Sequence, residues 1–320
     1  MKRVSTLLLC GFLFGSFLTA QSNLIDDGLA HTINYSGYQE DHRIPVGTNY
    51  DRLEVFLHGG DGGHSGQCNI GGGRGARITA VFPIGNGNTE LQPGGILRFI
   101  VGQRGERLFA NYEGGAGGGA GTAILYKHPG AVISDDVPST NLADASTDWV
   151  ILAVAGGGSG AYVNLSVSVC VNTTSGKGGR AGEDGQSGGG GNAGGTNGHG
   201  GTQNGALGRD GGGGGGYLSD AGSGGTRQGK KGGVTGGEGG DGTNHGGWGY
   251  GGGGAGGGDG QNYGSGGGGG YSGGGGGNDN SGSTAEVGGG GGSFVNAADI
   301  DAYTVKDGGG EVGNADDGFV

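Results

Sequence analysis

The chain has 320 residues, of which 97 are Gly and only 5 are Pro, and it carries a formal net charge of −12. A Gly fraction near one in three without a strict Gly-X-Y period or abundant Pro excludes collagen, and an acidic chain without a basic stripe lacks the electrostatic footprint of nucleic-acid or anionic-membrane binding. Apolar residues make up 31%, below the roughly 40% of an ordinary domain with its Gly set aside, so the composition disfavours a typical enzyme and leaves room for a small all-β core beside a large Gly-built region.

Residues 1–20 read as a secretory signal peptide. Lys2 and Arg3 form a charged start, the apolar run spans Leu7 to Leu18, and Ala20 offers a small residue before Gln21. Residues 21–48 are a polar lead. No stretch of eighteen apolar residues follows the signal, so no membrane-spanning helix is expected within the chain.

Residues 49–175 contain a series of strand-like runs. Arg52–His58 alternates, with Leu53, Val55 and Leu57 on one face, and Ile78, Ala80 and Phe82 repeat the pattern. Leu97, Phe99 and Val101 do so again, Ala123–Tyr126 is short and apolar, and Trp149–Ala155 is continuously apolar, as a strand buried on both faces would be. Tyr162–Asn172 alternates most regularly and reads as one amphipathic strand. Short strands punctuated by Gly, Pro and Asn predict a β-sandwich, and no window has sustained helical periodicity.

From 176 to 292 about half the residues are Gly, in runs such as Gly211–Gly216, Gly266–Gly270 and Gly273–Gly277, punctuated by Tyr217, Trp248, Tyr250, Tyr263 and Tyr271. A flexible linker is one reading. The recurrent aromatics argue for an ordered alternative, a bundle of polyglycine helices in the polyproline II conformation. Such helices have three residues per turn and no internal hydrogen bonds, so their N–H and C=O groups point outward to neighbours. Strand-like sequence resumes in 293–320, at Ser293–Val295 and Tyr303–Val305. Gly318–Val320 starts a further apolar run, which is expected to pair as a partial strand of a fold that the chain stops short of completing.

Several side-chain patterns bear on chemistry. His58, Asp61, His64 and Cys68 are of zinc-ligating types, but their spacing matches no established pattern. Cys68 and Cys170 are an even pair, which favours a disulfide in an oxidising compartment; it would close a loop of about a hundred residues, worth roughly 4–5 kcal/mol. Two free thiols are the alternative. Asn34, Asn164 and Asn172 each begin an Asn-x-Ser/Thr sequon, a glycan acceptor in a eukaryotic source. The G-x-S-x-G matches at Ser187 and Ser272 lack the strand and helix that a nucleophile elbow needs. No P-loop is present and no cofactor is implied.

The segments LEVFLHGGDGG from Leu53, LRFIVGQRGE from Leu97, WVILAVAGGGSGA from Trp149 and GGGGGSFV from Gly288 resemble the glycine-rich extracellular domain of the anaplastic lymphoma kinase and leukocyte tyrosine kinase receptors, over roughly 50–320. The resemblance implies a TNF-like, jelly-roll-type β-sandwich with an inserted polyglycine-helix region, in a ligand-binding module. Kinase signatures are absent, so kinase activity would require the gene to continue beyond Val320. The expectation is a secreted or cell-surface, non-catalytic binding or adhesion module with an extracellular protein or glycan partner. The alternatives are a receptor tyrosine kinase ectodomain segment and an ice- or surface-binding protein, although Thr196, Thr202, Thr226, Thr235 and Thr243 keep no fixed period.

Overall fold

The computed structural model describes residues 22–23, 32–47, 51–66, 68–108, 114–132, 137–166, 169–203, 210–222, 226–257, 264–278, 287–297, 302–309 and 317–320, with backbone alone at 22–23, 164–166 and 169–172. Residues 1–20, read above as a signal peptide, and Tyr263 lie outside these residues. The described chain is all-β, with two 3₁₀ turns, at Leu142–Ser146 and Gly189–Gly191, as its only helical elements.

Among the described residues, twelve strands form three sheets. β1 (Ser22–Asn23), β2 (Glu40–Arg43), β5 (Ile96–Ile100), β7 (Thr122–Lys127), β8 (Val150–Ala155) and β11 (Phe294–Val295) make a six-stranded sheet in that spatial order. β12 (Ala302–Lys306), β4 (Arg77–Pro83) and β3 (Arg52–His58) make a second sheet, and β10 (Val169–Thr174), β9 (Tyr162–Ser166) and β6 (Gly114–Gly115) a third.

The main core lies between the first two sheets. The period-2 side chains Val55, Leu57, Ile78, Ala80 and Phe82 meet Leu97, Phe99, Ile124, Tyr126, Val150 and Leu152 there. The opposite face of the six-stranded sheet is also buried. Ile96, Ile100, Leu125, Ile151 and Val154 pack against Trp149, Val234, Tyr250 and Tyr271, with Tyr217 and Trp248 at the margin. β8 is thus covered on both faces, which accounts for its uninterrupted apolar run. Tyr217, Trp248, Tyr250 and Tyr271, which punctuate the glycine runs, thus join the second core.

Two elements differ from expectation. Tyr162–Asn172 is not one strand: β9 and β10 pair antiparallel with each other, Val169 opposite Ser166 and Thr174 opposite Tyr162. Alternation alone cannot signal a reversal when the polar–apolar rhythm of the sequence runs on unbroken from β9 to β10. The polar lead, in turn, contributes β2, antiparallel to β5. It is held by charge rather than by apolar burial: the Arg98 guanidinium donates two 2.7 Å bonds to the Asp41 carboxylate and one of 2.9 Å to the Val234 carbonyl, with its carbon 4.3 Å from the Trp149 ring centroid.

Two strands lie among the described residues of 293–320. β11 pairs with β8, and β12 with β4. The last residues are paired on both sides. Phe319 exchanges backbone bonds of 2.9 and 3.2 Å with His58, and Val320 exchanges bonds of 2.8 and 3.0 Å with Ile33.

The glycine runs carry no repeating strand or helix pattern, yet their backbone bonds follow a strict period of three. Gly266 and Gly269 donate to Ala116 and Gly119, Gly267 and Gly270 to Gly212 and Gly215, and Gly268 and Tyr271 to Gly289 and Gly292, at 2.9–3.2 Å. Carbonyls of the same run accept from Gly157 and Gly160, from Gly254, and from Gly274 and Gly277. One run therefore has six backbone neighbours. The pattern extends into the first half of the chain: Gly115, Gly118 and Gly121 donate to Gly257, Gly254 and Gly251, Ala116 and Gly119 to Ala161 and Gly158, and Gly117 and Ala120 to Glu106 and Gln103. β3 and β8 run directly into this lattice, and β7 and β11 emerge from it, all at one end of the sandwich.

Such contacts leave no room for a side chain. A Cβ on Gly268 would come within 3.0 Å of both the carbon and the oxygen of the Gly157 carbonyl, whereas one on Gly182 would meet nothing within 4 Å. Gly268→Ala is expected to destabilise the fold by about 3 kcal/mol, and Gly182→Ala by well under 1 kcal/mol, as read from urea unfolding midpoints. Equal effects at the two positions would contradict the close-packed arrangement.

Candidate functional site

The residues with ligating or nucleophilic chemistry are best placed by what the lattice requires of them. Where a glycine N–H or C=O has no backbone neighbour, a buried polar side chain supplies the missing group. The Asp61 carboxylate accepts from Gly75 N–H at 2.8 Å, and Thr122 Oγ1 accepts from Gly102 N–H at 2.9 Å. Ser293 Oγ accepts from Gly156 N–H, Ser265 Oγ from Gly288 N–H and Ser272 Oγ from Gly198 N–H, at 2.9–3.0 Å. The Asn244 and Asn192 amides donate to the Gly115 and Gly276 carbonyls at 2.8 Å each.

Two of the sequence candidates, Asp61 and Ser272, are engaged in this way. Of the four residues considered for zinc, His58 and Asp61 are brought together, with Nε2 3.9 Å from Oδ1 and both residues 4% exposed. The His58 ring stacks on Phe319, centroids 5.3 Å apart. His64 is only partly buried, and burial together with the Arg104 and Arg107 charges lowers its pKa. Cys68 packs beside Leu108, Ala116 and Val163 and is disulfide-bonded; the Cys170 side chain lies outside the described residues. Among the described residues no three His, Cys, Asp or Glu side chains are grouped so as to hold a metal.

Of the two G-x-S-x-G serines, Ser272 is fully buried and bonded to the lattice, whereas Ser187 is exposed. Asn34 is exposed, beside the C-terminal pairing. Asn164 and Asn172 stand directly opposite each other in the β9–β10 register, and their side chains lie outside the described set.

Two surface features remain. The first is the margin of the second core, where the half-buried rings of Tyr217 and Phe294 stack on either side of the buried Tyr271, at 4.8 and 4.6 Å, with Leu218 exposed beside Tyr217. Burial is the main cause that raises the Tyr271 pKa, so its ring stays neutral well into alkaline pH. The second is an open cleft of about 670 Å³ where the chain leaves β10, lined by Ser175–Gly178, Arg180, Gln186 and Ser187. Its floor is fixed to the lattice by backbone bonds from Gly176 to Gly71, Gly179 to Arg74, Arg180 to Gly291 and Gln186 to Gly290. The Lys177 ammonium donates to the Ser187 carbonyl at 2.8 Å, and partial burial lowers its pKa. Sequence reading missed this cleft, because Lys177 and Ser187 are ten residues apart and a fold built on period-three runs brings them together. Runs of that period place Lys177 and Arg180, three apart, on one side.

No helix among the described residues is long and apolar enough to cross a membrane. Compared with known proteins, the chain matches no family model and no curated protein.

Because Asp61 fills a lattice gap, Asp61→Ala should cost about 2–3 kcal/mol by orphaning a buried N–H beside lost charge-assisted bonding. Ser187→Ala should change stability by less than about 0.5 kcal/mol. Urea titration of both variants checks this, and a neutral Asp61→Ala would contradict the plugging role.

Proposed function

We propose that this protein is a secreted or cell-surface, non-catalytic binding or adhesion module. Its sandwich presents loops and its glycine lattice acts as a rigid contact slab. The observation that carries the reading is the use made of its buried polar side chains. Asp61, Ser272, Ser293, Asn192 and Asn244 are consumed in completing backbone hydrogen bonds, which leaves the surface, with its ring margin and cleft, as the place where the molecule meets others.

We further propose that the runs are polyglycine helices. A threefold, outward-bonding backbone with six neighbours is what a three-residue turn without internal hydrogen bonds produces. The quoted strand-to-glycine segments support a likeness to the glycine-rich extracellular domain of the anaplastic lymphoma kinase and leukocyte tyrosine kinase receptors, and with it a TNF-like arrangement of the sandwich. The proposed partner is an extracellular protein or glycan. We assign the disulfide of Cys68 to Cys170, the one other cysteine that remains after a signal peptide ending near Ala20 is removed.

Expression of the whole chain in a secretory host tests the export and pairing. A mature product starting near Gln21, with no thiol reactive toward iodoacetamide until reduction, is expected. Retention in the cell with an intact N-terminus, or two reactive thiols in the folded product, would overturn them. The same product, immobilised and exposed to panels of extracellular proteins and glycans, is expected to retain at least one; a folded protein that retains none would count against the binding role.

A further inference from the structure

We propose that β3 pairs edge to edge with β3 of a second copy of this chain, about a two-fold axis, so that the protein forms a weak dimer. The inference goes beyond the binding-module reading and does not rest on it. His58 donates its N–H to the Phe319 carbonyl and accepts from the Phe319 N–H, at 2.9 and 3.2 Å. The backbone groups of His58 therefore point away from β4. The β3–β4 register runs unbroken from Arg52 opposite Pro83 to His58 opposite Arg77, and successive residues of a strand direct their N–H and C=O to opposite edges. Those of Arg52, Glu54 and Phe56 thus lie on the same edge as those of His58. Among the described residues no backbone group partners them there.

An open edge of this kind is a template for another strand, and its side chains select the strand. Arg52 and Glu54 are exposed on the outer face beside Phe56, which is 43% exposed, and Leu53, turned toward the main core, is only partly buried. In an antiparallel pair, residues directly opposite each other share one face of the sheet. A register centred on Leu53 sets Arg52 against the partner's Glu54 and Glu54 against the partner's Arg52, each pair exchanging both backbone bonds. Leu53 then meets the partner's Leu53 on the core side. Opposite charges directly across a strand pair stabilise it, and like charges do the reverse.

The neighbouring registers are excluded by charge and by an occupied end. One centred on Glu54 opposes Glu54 to itself and directs the partner's Asp51 to the position that Val320 holds, one residue past the Phe319–His58 pair. One centred on Val55 sets the partner's Arg52 against His58, whose outer edge Phe319 already fills. The pairing centred on Leu53 joins the second sheets of two copies into one continuous sheet, in the order β12-β4-β3-β3-β4-β12. The paired stretch is short beside the ~1,200–2,000 Å² buried by stable complexes, and each copy carries a net charge of −12. Association is therefore weak and needs high protein concentration.

Sedimentation velocity on the whole secreted protein, from micromolar to submillimolar concentration, tests this. The sedimentation coefficient is expected to rise from that of a monomer toward that of a dimer. Glu54→Arg, which opposes Arg52 to an arginine, should weaken association at least tenfold with an unchanged thermal melt. The double variant Arg52→Glu/Glu54→Arg, which exchanges the two charges, should restore association to within about threefold of wild type. Amide exchange in the wild type gives a second readout and decides the matter if a variant fails to fold. Arg52 and Glu54 should slow as concentration rises, while Leu53 and Val55, already bonded to β4, should not change. A monomer at every concentration would overturn the proposal, as would association that the single reversal leaves intact or the exchange of charges fails to restore. Arg52 and Glu54 amides protected equally at all concentrations would also overturn it, because another part of the chain would then cover the edge.

Discussion

The structure depends on one constraint: the N–H and C=O groups of close-packed glycine runs must find one another, because no side chain is there to do it. A buried backbone amide without a partner costs free energy comparable to a lost hydrogen bond. The central run meets this by giving its donors to three segments and its acceptors to three more, in steps of three residues. Backbones can approach that closely only without a Cβ, and the space around Gly268 admits none. The glycine content is therefore a packing requirement of the lattice, not a device for flexibility. Contacts between Cα–H groups and carbonyls add a smaller term.

Ordering glycine is expensive, since it loses more backbone entropy on folding than any other residue. The sandwich lowers that cost by fixing where runs begin and end. β3 and β8 deliver their chain into the lattice with register already set by sheet pairing, and β7 and β11 receive it back. Apolar burial on the outer face of the six-stranded sheet supplies a second anchor, where Tyr250, Tyr271 and Val234 from the glycine-rich region cover Leu125, Ile151 and Val154. The two parts consequently share a core, and the lattice takes in runs such as Gly59–Gly63 and Gly156–Gly160 as fully as those beyond 176. The surfaces proposed for binding inherit this rigidity, the cleft floor being bonded at four points to runs that are themselves enclosed.

Much of the sandwich was legible because apolar alternation reports directly on a half-buried strand: Leu53, Val55 and Leu57, or Ile78, Ala80 and Phe82, could be assigned a face from spacing alone. The aromatics of the glycine-rich region were legible too, as a sign of order. β2 was not, because Glu40, Asp41, His42 and Arg43 are retained between β1 and β5 by the Asp41–Arg98 pair, and an ion pair between distant residues leaves no periodic trace. The β9–β10 reversal was hidden because the alternating rhythm of the sequence continues unbroken between the two strands. The roles of Asp61, Ser272 and Asn244 were hidden for another reason: a polar residue isolated among glycines looks like a solvated turn, and only the three-dimensional lattice reveals the unfilled bond it completes. The cleft depends on the same long-range geometry.

Amide hydrogen exchange in the enclosed run Gly266–Gly270, followed by NMR on uniformly ¹⁵N-labelled protein, tests the central claim most directly. If these amides are bonded to six surrounding segments within one cooperative structure, they should be protected by several orders of magnitude, to an extent similar to the β8 strand. Exchange of this run near the rate of an unstructured chain, while β8 remains protected, would contradict the account.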